Sequence, residues 1–356
     1  RTLEVVIFKN GNDMEGPSYN FYRNALSYDI RDDKSFQTYW EPIHKLTSGY
    51  SNVFISPDGI FNKLSFNTLY NNESGKYLID DQMISLISAT KDLLKRNSAD
   101  NAVNRTAALF GYPIFNTDQT EMASGKAVNR LYEEWMTDID LLPGTKVEIN
   151  NIESTLPADS WSISKKLESE ASEKNIKSLQ GPSVLHIATH GYFSEDLSYG
   201  VNAWKDQEKT EEYDFNPLLR SGLLFSKAET TVRKRLKGAA VNTNNDGILT
   251  AYEAMNLNLS GTDLVILSAC ETGLGSVRNG EGVYGLQRAF LVSGAKNLIM
   301  SLWKVNDKAT QELMSSFYKK WIASGNLHAA FREAQLAIKE KYDNPLMWGG
   351  FILNGL

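Results

Sequence analysis

The sequence predicts a mixed α/β protein built around a mostly parallel sheet, and three observations carry that expectation. Short, almost wholly apolar runs ("SVLHIA", "DLVILS", "KNLIMSLW") recur through the second half and read as strands covered on both faces. Helical patterns such as "EGVYGLQRAFLVSG" separate them, as in βαβ units. Two of the apolar runs stop abruptly on a chemically capable residue, His190 and Cys270.

Taken in order, the first third mixes elements. "SFQTYWEPIHKL" has helical spacing with a kink or early stop expected at Pro42. "NVFISPDGIFNKLSF" reads as two strands around a Pro57-Asp58-Gly59 turn, "YLIDDQMISLIS" as extended chain, and "AALFGYPIF" as a buried strand. Residues 116–160 are polar, with one helical segment at "AVNRLYEEWM", and an organisation into 1–150 and 151–356 is expected. Then "SWSISKKLESEASEKNIKSL" reads as an amphipathic helix and "SGLLFSKA" as a strand. Between "SVLHIATH" and "SGLLFSKA" runs a charged stretch, 195–214, read as a solvated loop whose place beside His190 suits a lid or exosite. Helices at "DKATQELMSSFYKKWIAS" and "NLHAAFREAQLAIKEKY" and a closing "GGFIL" complete the pattern.

Composition narrows the function. The 356 residues carry a net charge of -6, which argues against nucleic acid as the main partner. No run approaches the ~18 apolar residues of a membrane span. A single cysteine precludes an internal disulfide and fits a reducing, cytoplasmic setting. The chain starts at Arg1 rather than Met, so a preceding region is expected.

In a parallel sheet, chemistry gathers beyond the carboxyl ends of the strands. If the two strands ending on His190 and Cys270 are neighbours, imidazole and thiol emerge on one edge, where the base can favour the thiolate. The N–H groups of Gly191 and Cys270 can then hold an oxyanion, each donor being worth about 3 kcal/mol. The plainer reading makes His190 a strand terminus and Cys270 an inert core filler.

Other signals are weaker. "NTNNDGILTAYE" approaches a calcium loop, but its first position is Asn242. "GEGVYG" matches a dinucleotide glycine pattern, but it begins ten residues after its strand ends. His186, four residues before His190, is read as a residue packed within the fold.

"VLHIATHGYF", "DGILTAYEAMNLNLSGTDLVILSACETGLG", "GEGVYGLQRAFLVSGAKNLIMSLWKVND" and "PLMWGGFILNG" together resemble the CHAT family of caspase-like cysteine peptidases, related to separase. The resemblance implies a three-layer α/β/α sandwich with an N-terminal α/β subdomain and a His190/Cys270 peptidase that uses no cofactor. It also implies a protein substrate, an upstream TPR regulatory region and a role in bacterial defence, with a gasdermin or a CRISPR-linked protein as target. Separase has "Leu-Trp-Asp-Val-Thr-Asp", whose acid helps bind a basic P1 side chain. Here "LWKVND" puts Lys304 at the first acidic position and keeps Asp307 at the last. Asp307 is therefore a candidate S1 residue, although Asn306 or Asp307 would equally serve as cap of a helix starting at Lys308. The rival reading is a non-catalytic interaction platform on the same fold; a nucleotide binder built on the glycine loop is a weaker third.

Overall fold

The computed structural model describes residues 3–95, 105–117, 136, 138–193, 216–269, 276–278 and 282–356. The chain forms two compact units, one from Asn101–Ser276 with Val283–Trp303, the other from Arg1–Asp100, Val277–Gly282 and Lys304–Leu356.

The first of these carries both apolar runs that end on reactive residues. Its elements are β1 (Arg105–Pro113), α1 (Pro143–Thr155), β2 (Trp161–Glu168), α2 (Glu173–Lys177), β3 (Val184–Ala188), β4 (Gly191–Phe193), β5 (Ser221–Leu224), α3 (Ala228–Leu236), β6 (Ile248–Thr250), α4 (Ala251–Ala254), β7 (Leu264–Ser268), α5 (Leu286–Val292) and β8 (Asn297–Ser301). Five strands run parallel in the order β8-β7-β3-β1-β2. Every residue of β3, β7 and β8 is buried, which is why those runs lack polar alternation.

The register divides the side chains between two faces. His186 lies opposite Ile266 and Leu109, and Ala188 opposite Ser268 and Gly111, so all six share one face. Helix α1 covers it: a Cβ added at Gly111 would sit 2.5 Å from Ile149 Cγ1, so only glycine lets the helix lie this close. The opposite face is covered too, with Phe110 against Phe225 at 6.2 Å between ring centroids. The unit is thus a mixed α/β body around a mostly parallel sheet covered on both faces. Beyond β3, the short strands β6-β5-β4 form an antiparallel sheet over a separate core of Phe115, Met136, Leu224, Ala228, Val232 and Ile248.

Two expectations fail here. "SWSISKKLESEASEKNIKSL" is not one helix but β2 followed by the short α2. Trp161, Ile163 and Leu167 keep a period of two, and β2 is an outer strand whose other face meets water, so its lysines imitate the polar face of a helix. The helix of this region is instead α1, within the stretch read as polar. "AVNRLYEEWM", apart from the buried Met136, lies outside the described residues, as does the 195–214 stretch.

In the other unit, strands Asn52–Ile55, Met83–Leu86 and Phe351–Asn354 run parallel. Helices Asp307–Ser324 and Leu327–Lys341 belong to it, and Arg332 of the latter donates to the carbonyls of Ile79 and Asp80. The expected break at Pro42 falls between a π-helical turn, Phe36–Trp40, and helix Glu41–Thr47. The expected hairpin at 57–59 does not form. Gly59 takes a left-handed φ of 54° and opens a 3₁₀ turn, Gly59–Lys63, and Asn52–Ile55 pairs with the distant Met83–Leu86 instead. Among the described residues no helix is long and apolar enough to cross a membrane.

Candidate functional site

Strands β3 and β7 are hydrogen-bonded neighbours, with Ala188 opposite Ser268 at their carboxyl ends. The Thr189 N–H continues the ladder onto the Ser268 carbonyl at 3.3 Å, and the Ser301 hydroxyl donates to the Ala269 carbonyl at 2.6 Å. His190 is two residues beyond Ala188. Cys270, the residue after Ala269, lies outside the described residues.

The His190 ring is half-buried and fixed on two sides. Its Nε2 lies 2.8 Å from the Asp140 carbonyl oxygen, and its plane tilts over buried Phe115 at 5.4 Å between centroids. A carbonyl can only accept, so Nε2 carries a proton and donates it; in the neutral ring the lone pair is then at Nδ1. The Asp140 segment is itself anchored, since the Ile139 N–H donates to buried Glu229 Oε2 at 3.2 Å.

Gly191 begins β4, opposite Leu223 of β5. The Leu224 N–H donates to the His190 carbonyl at 2.9 Å, which makes the 191/223 pair the non-hydrogen-bonded one of this antiparallel ladder. The Gly191 N–H is therefore turned away from β5.

Beneath this edge lies a polar cluster that sequence reading did not find. Glu148 of α1 is 3% exposed and His186 of β3 is fully buried. His186 Nε2 is 2.8 Å from Glu148 Oε1, and the Ser268 hydroxyl donates to Glu148 Oε2 at 3.1 Å. His186 is packed within the fold, as expected, but on a carboxylate. The only hint in the sequence was a glutamate inside the apolar spacing Val147, Ile149, Ile152.

A second charged cluster supports the turn before β6, where the calcium-loop pattern falls. Its acids have internal partners. Asp246 accepts from the Ile248 N–H at 2.9 Å and from Arg235 at 3.0 Å, and Glu253 binds Lys177 at 2.9 Å and caps α4 through Thr250. Fully buried Glu173 pairs with Lys177 and accepts from the Gly247 N–H at 2.7 Å. Burial, with Glu173 as a like charge nearby, pushes the Asp246 carboxyl up to about 7.

Asp307 belongs to the other unit. The cap of helix Asp307–Ser324 is Asn306, whose side chain accepts from the Ala309 N–H at 3.1 Å. The helix starts one residue earlier than expected, and Asp307 is exposed in its first turn. Of the glycine pattern, Gly280 lies outside the described residues and Gly285 precedes α5.

Comparison with known proteins adds the family. Tetratricopeptide repeat protein 28 of mouse and of human are each 32% identical to this chain over 110 residues, which is 30% of the chain and 4% of those proteins. Two solved structures are similar at lower identity. The Saccharomyces cerevisiae separase–securin complex is 12% identical, with a TM-score of 0.45 over 93% of this chain and 17% of that one. The Arg specific cysteine proteinase gingipain R is 11% identical, with a TM-score of 0.45 over 98% of this chain and 74% of that one. The CHAT domain model matches residues 34–356, and the chain belongs to the CHAT domain family.

Proposed function

We propose that the protein is a cysteine endopeptidase in which Cys270 is the nucleophile and His190 its base. The observation that carries the reading is the state of His190: at the carboxyl end of β3, with Nε2 committed to the Asp140 carbonyl and the basic nitrogen at Nδ1. The neighbouring strand β7 ends two residues before the only cysteine of the sequence.

In this mechanism Nδ1 takes the thiol proton and the thiolate attacks the scissile carbonyl. The N–H groups of Gly191 and Cys270 stabilise the oxyanion, and the imidazolium, held by Asp140, returns its proton to the leaving amine. Water then hydrolyses the thioester. Asp307 is assigned to the S1 site, recognising a basic P1 residue. The family resemblance extends the proposal to limited cleavage of one protein substrate in bacterial defence. The proposal includes a TPR region upstream, which the name of the curated relatives supports.

The test is cleavage-site profiling of wild type and Cys270→Ala on a diverse peptide library, with new termini read by mass spectrometry. Termini produced by wild type alone support the reading, and Arg or Lys at P1 supports Asp307. A wild type that neither cleaves nor becomes labelled at Cys270 by a thiol-reactive peptide probe overturns it and favours an interaction platform.

A further inference from the structure

We infer that Glu148 is a positioning residue for His190, acting through the segment 139–148 rather than on the substrate. This inference builds on the peptidase reading and concerns how its base is held.

One short stretch of chain reaches the site at two points. At its start, the Asp140 carbonyl takes the Nε2 proton of His190, 2.8 Å away. Eight residues on, the Glu148 carboxylate is fastened to both strands of the site at once. One oxygen accepts from His186, four residues before His190 on β3; the other accepts from Ser268, two residues before Cys270 on β7. The two attachments lie on one face of the sheet and are set about 7 Å apart along it by the strand rise, His186 being two residues behind the Ser268 level.

A carboxylate with both oxygens in directional bonds fixes α1 along and across the strands, which apolar contact alone does not do. The helix in turn sets where the Asp140 carbonyl stands, and the carbonyl sets which ring nitrogen of His190 is basic. Glu148 has a second reason to keep these bonds: it is nearly sealed from water, so a lost partner would leave a buried carboxylate oxygen unsatisfied. Gly111, Ile149 and the Tyr112 N–H bond to Thr145 Oγ1 at 2.9 Å hold the same helix against β1 but leave the β3 and β7 side to Glu148.

The experiment reads the His190 ring directly. The chain has four histidines, so ¹⁵N-labelled protein gives four ring patterns, assignable with single His→Asn variants. Wild type at a pH above the imidazole range should show His190 as one long-lived tautomer protonated at Nε2. In Glu148→Ala that pattern should collapse to averaged ring nitrogens. On a peptide found by profiling, kcat should fall about 100-fold, the scale of a small misplacement of a reacting group, with KM nearly unchanged. Glu148→Gln keeps the shape and can bond both neighbours, so it should restore the tautomer and most of kcat. A folded Glu148→Ala with an unchanged His190 pattern overturns the inference, and so does a Glu148→Gln that behaves like Glu148→Ala. If Glu148→Ala does not fold, Ser268→Ala decides: it removes one strut with little change in volume, and an unchanged His190 pattern there is equally fatal. The ring signals do not depend on cleavage. A locked wild-type ring that loosens in the variants, in a protein that neither cuts nor is labelled at Cys270, would sink the peptidase reading alone.

Discussion

Replacing Asp246 with Asn should flatten the dependence of stability on pH. Asp246 is 7% exposed, and burial, followed by the like charge of Glu173, raises its carboxyl from 3.8 to about 7 despite the bonds from Arg235 and the Ile248 N–H. Because folding raises this pKa, the native state keeps a proton that the unfolded chain has already lost. The associated stability is fully present below pH 3.8, is lost as the pH rises through about 7, and changes no further above that. At 1.36 kcal/mol per pKa unit a shift of this size corresponds to an upper limit of about 4 kcal/mol; bonds to Arg235 that reorganise on protonation bring the expected change to about 2–4 kcal/mol. Urea unfolding between pH 4 and 8, for wild type and Asp246→Asn, reads Asp246 and its coupling to Glu173 as the difference of two slopes, since groups remote from this cluster cancel. Wild type should lose stability relative to the variant up to about pH 7, then run parallel to it. Parallel curves throughout would refute the reasoning. The turn leads into β6, which pairs with β5, and β5 with β4 beside His190, so hydrogen exchange should quicken in these strands over the same range.

Gly111→Ala would drive a methyl to 2.5 Å from Ile149 Cγ1 and push α1 off the sheet; a loss of about 1–3 kcal/mol in urea unfolding and a weakened His190 tautomer are expected. Gly222→Ala would place its Cβ 2.7 Å from both the Leu249 carbonyl oxygen and the Tyr192 ring, at a similar cost, and distort β4, which a fall in peptide turnover would report. Asn306→Ala should lower stability by about 1 kcal/mol through loss of the cap on the Ala309 N–H. Asp307→Asn should leave stability within about 0.5 kcal/mol, being exposed, while removing any preference for Arg or Lys in the profiling assay.

The parallel strands were legible because full burial leaves an unmistakable mark: β3, β7 and β8 have no solvent-facing side to confuse the pattern. His190 was legible because it ends such a run. Strand β2 was not, since an outer strand with one wet face and lysines at 165 and 166 can be laid on a helical wheel as easily as on a pleat. Helix α1 stayed hidden for the opposite reason: its buried face includes Thr145 and Glu148, which count as polar in any periodicity. Asp140 contributes through its backbone, and a carbonyl leaves no trace in the residue code. Asn306 and Asp307 were alternatives as caps because both side chains suit the role; only the bond to the Ala309 N–H separates them.

The way the two units share the chain bears on the order in which they are made. The unit carrying His190 is complete once residue 303 has been synthesised. The other takes its first strands from residues 52–55 and 83–86, yet the strand that joins them, with Asn354 opposite Leu86, is translated some 270 residues later. Vectorial folding, in which N-terminal parts settle first, is thus inverted here. The early residues must wait on the ribosome with an open strand edge while the later unit closes. A ribosome stalled between these points would hold the His190 unit finished and the other unfinished, a species that pulsed proteolysis of nascent chains should trap.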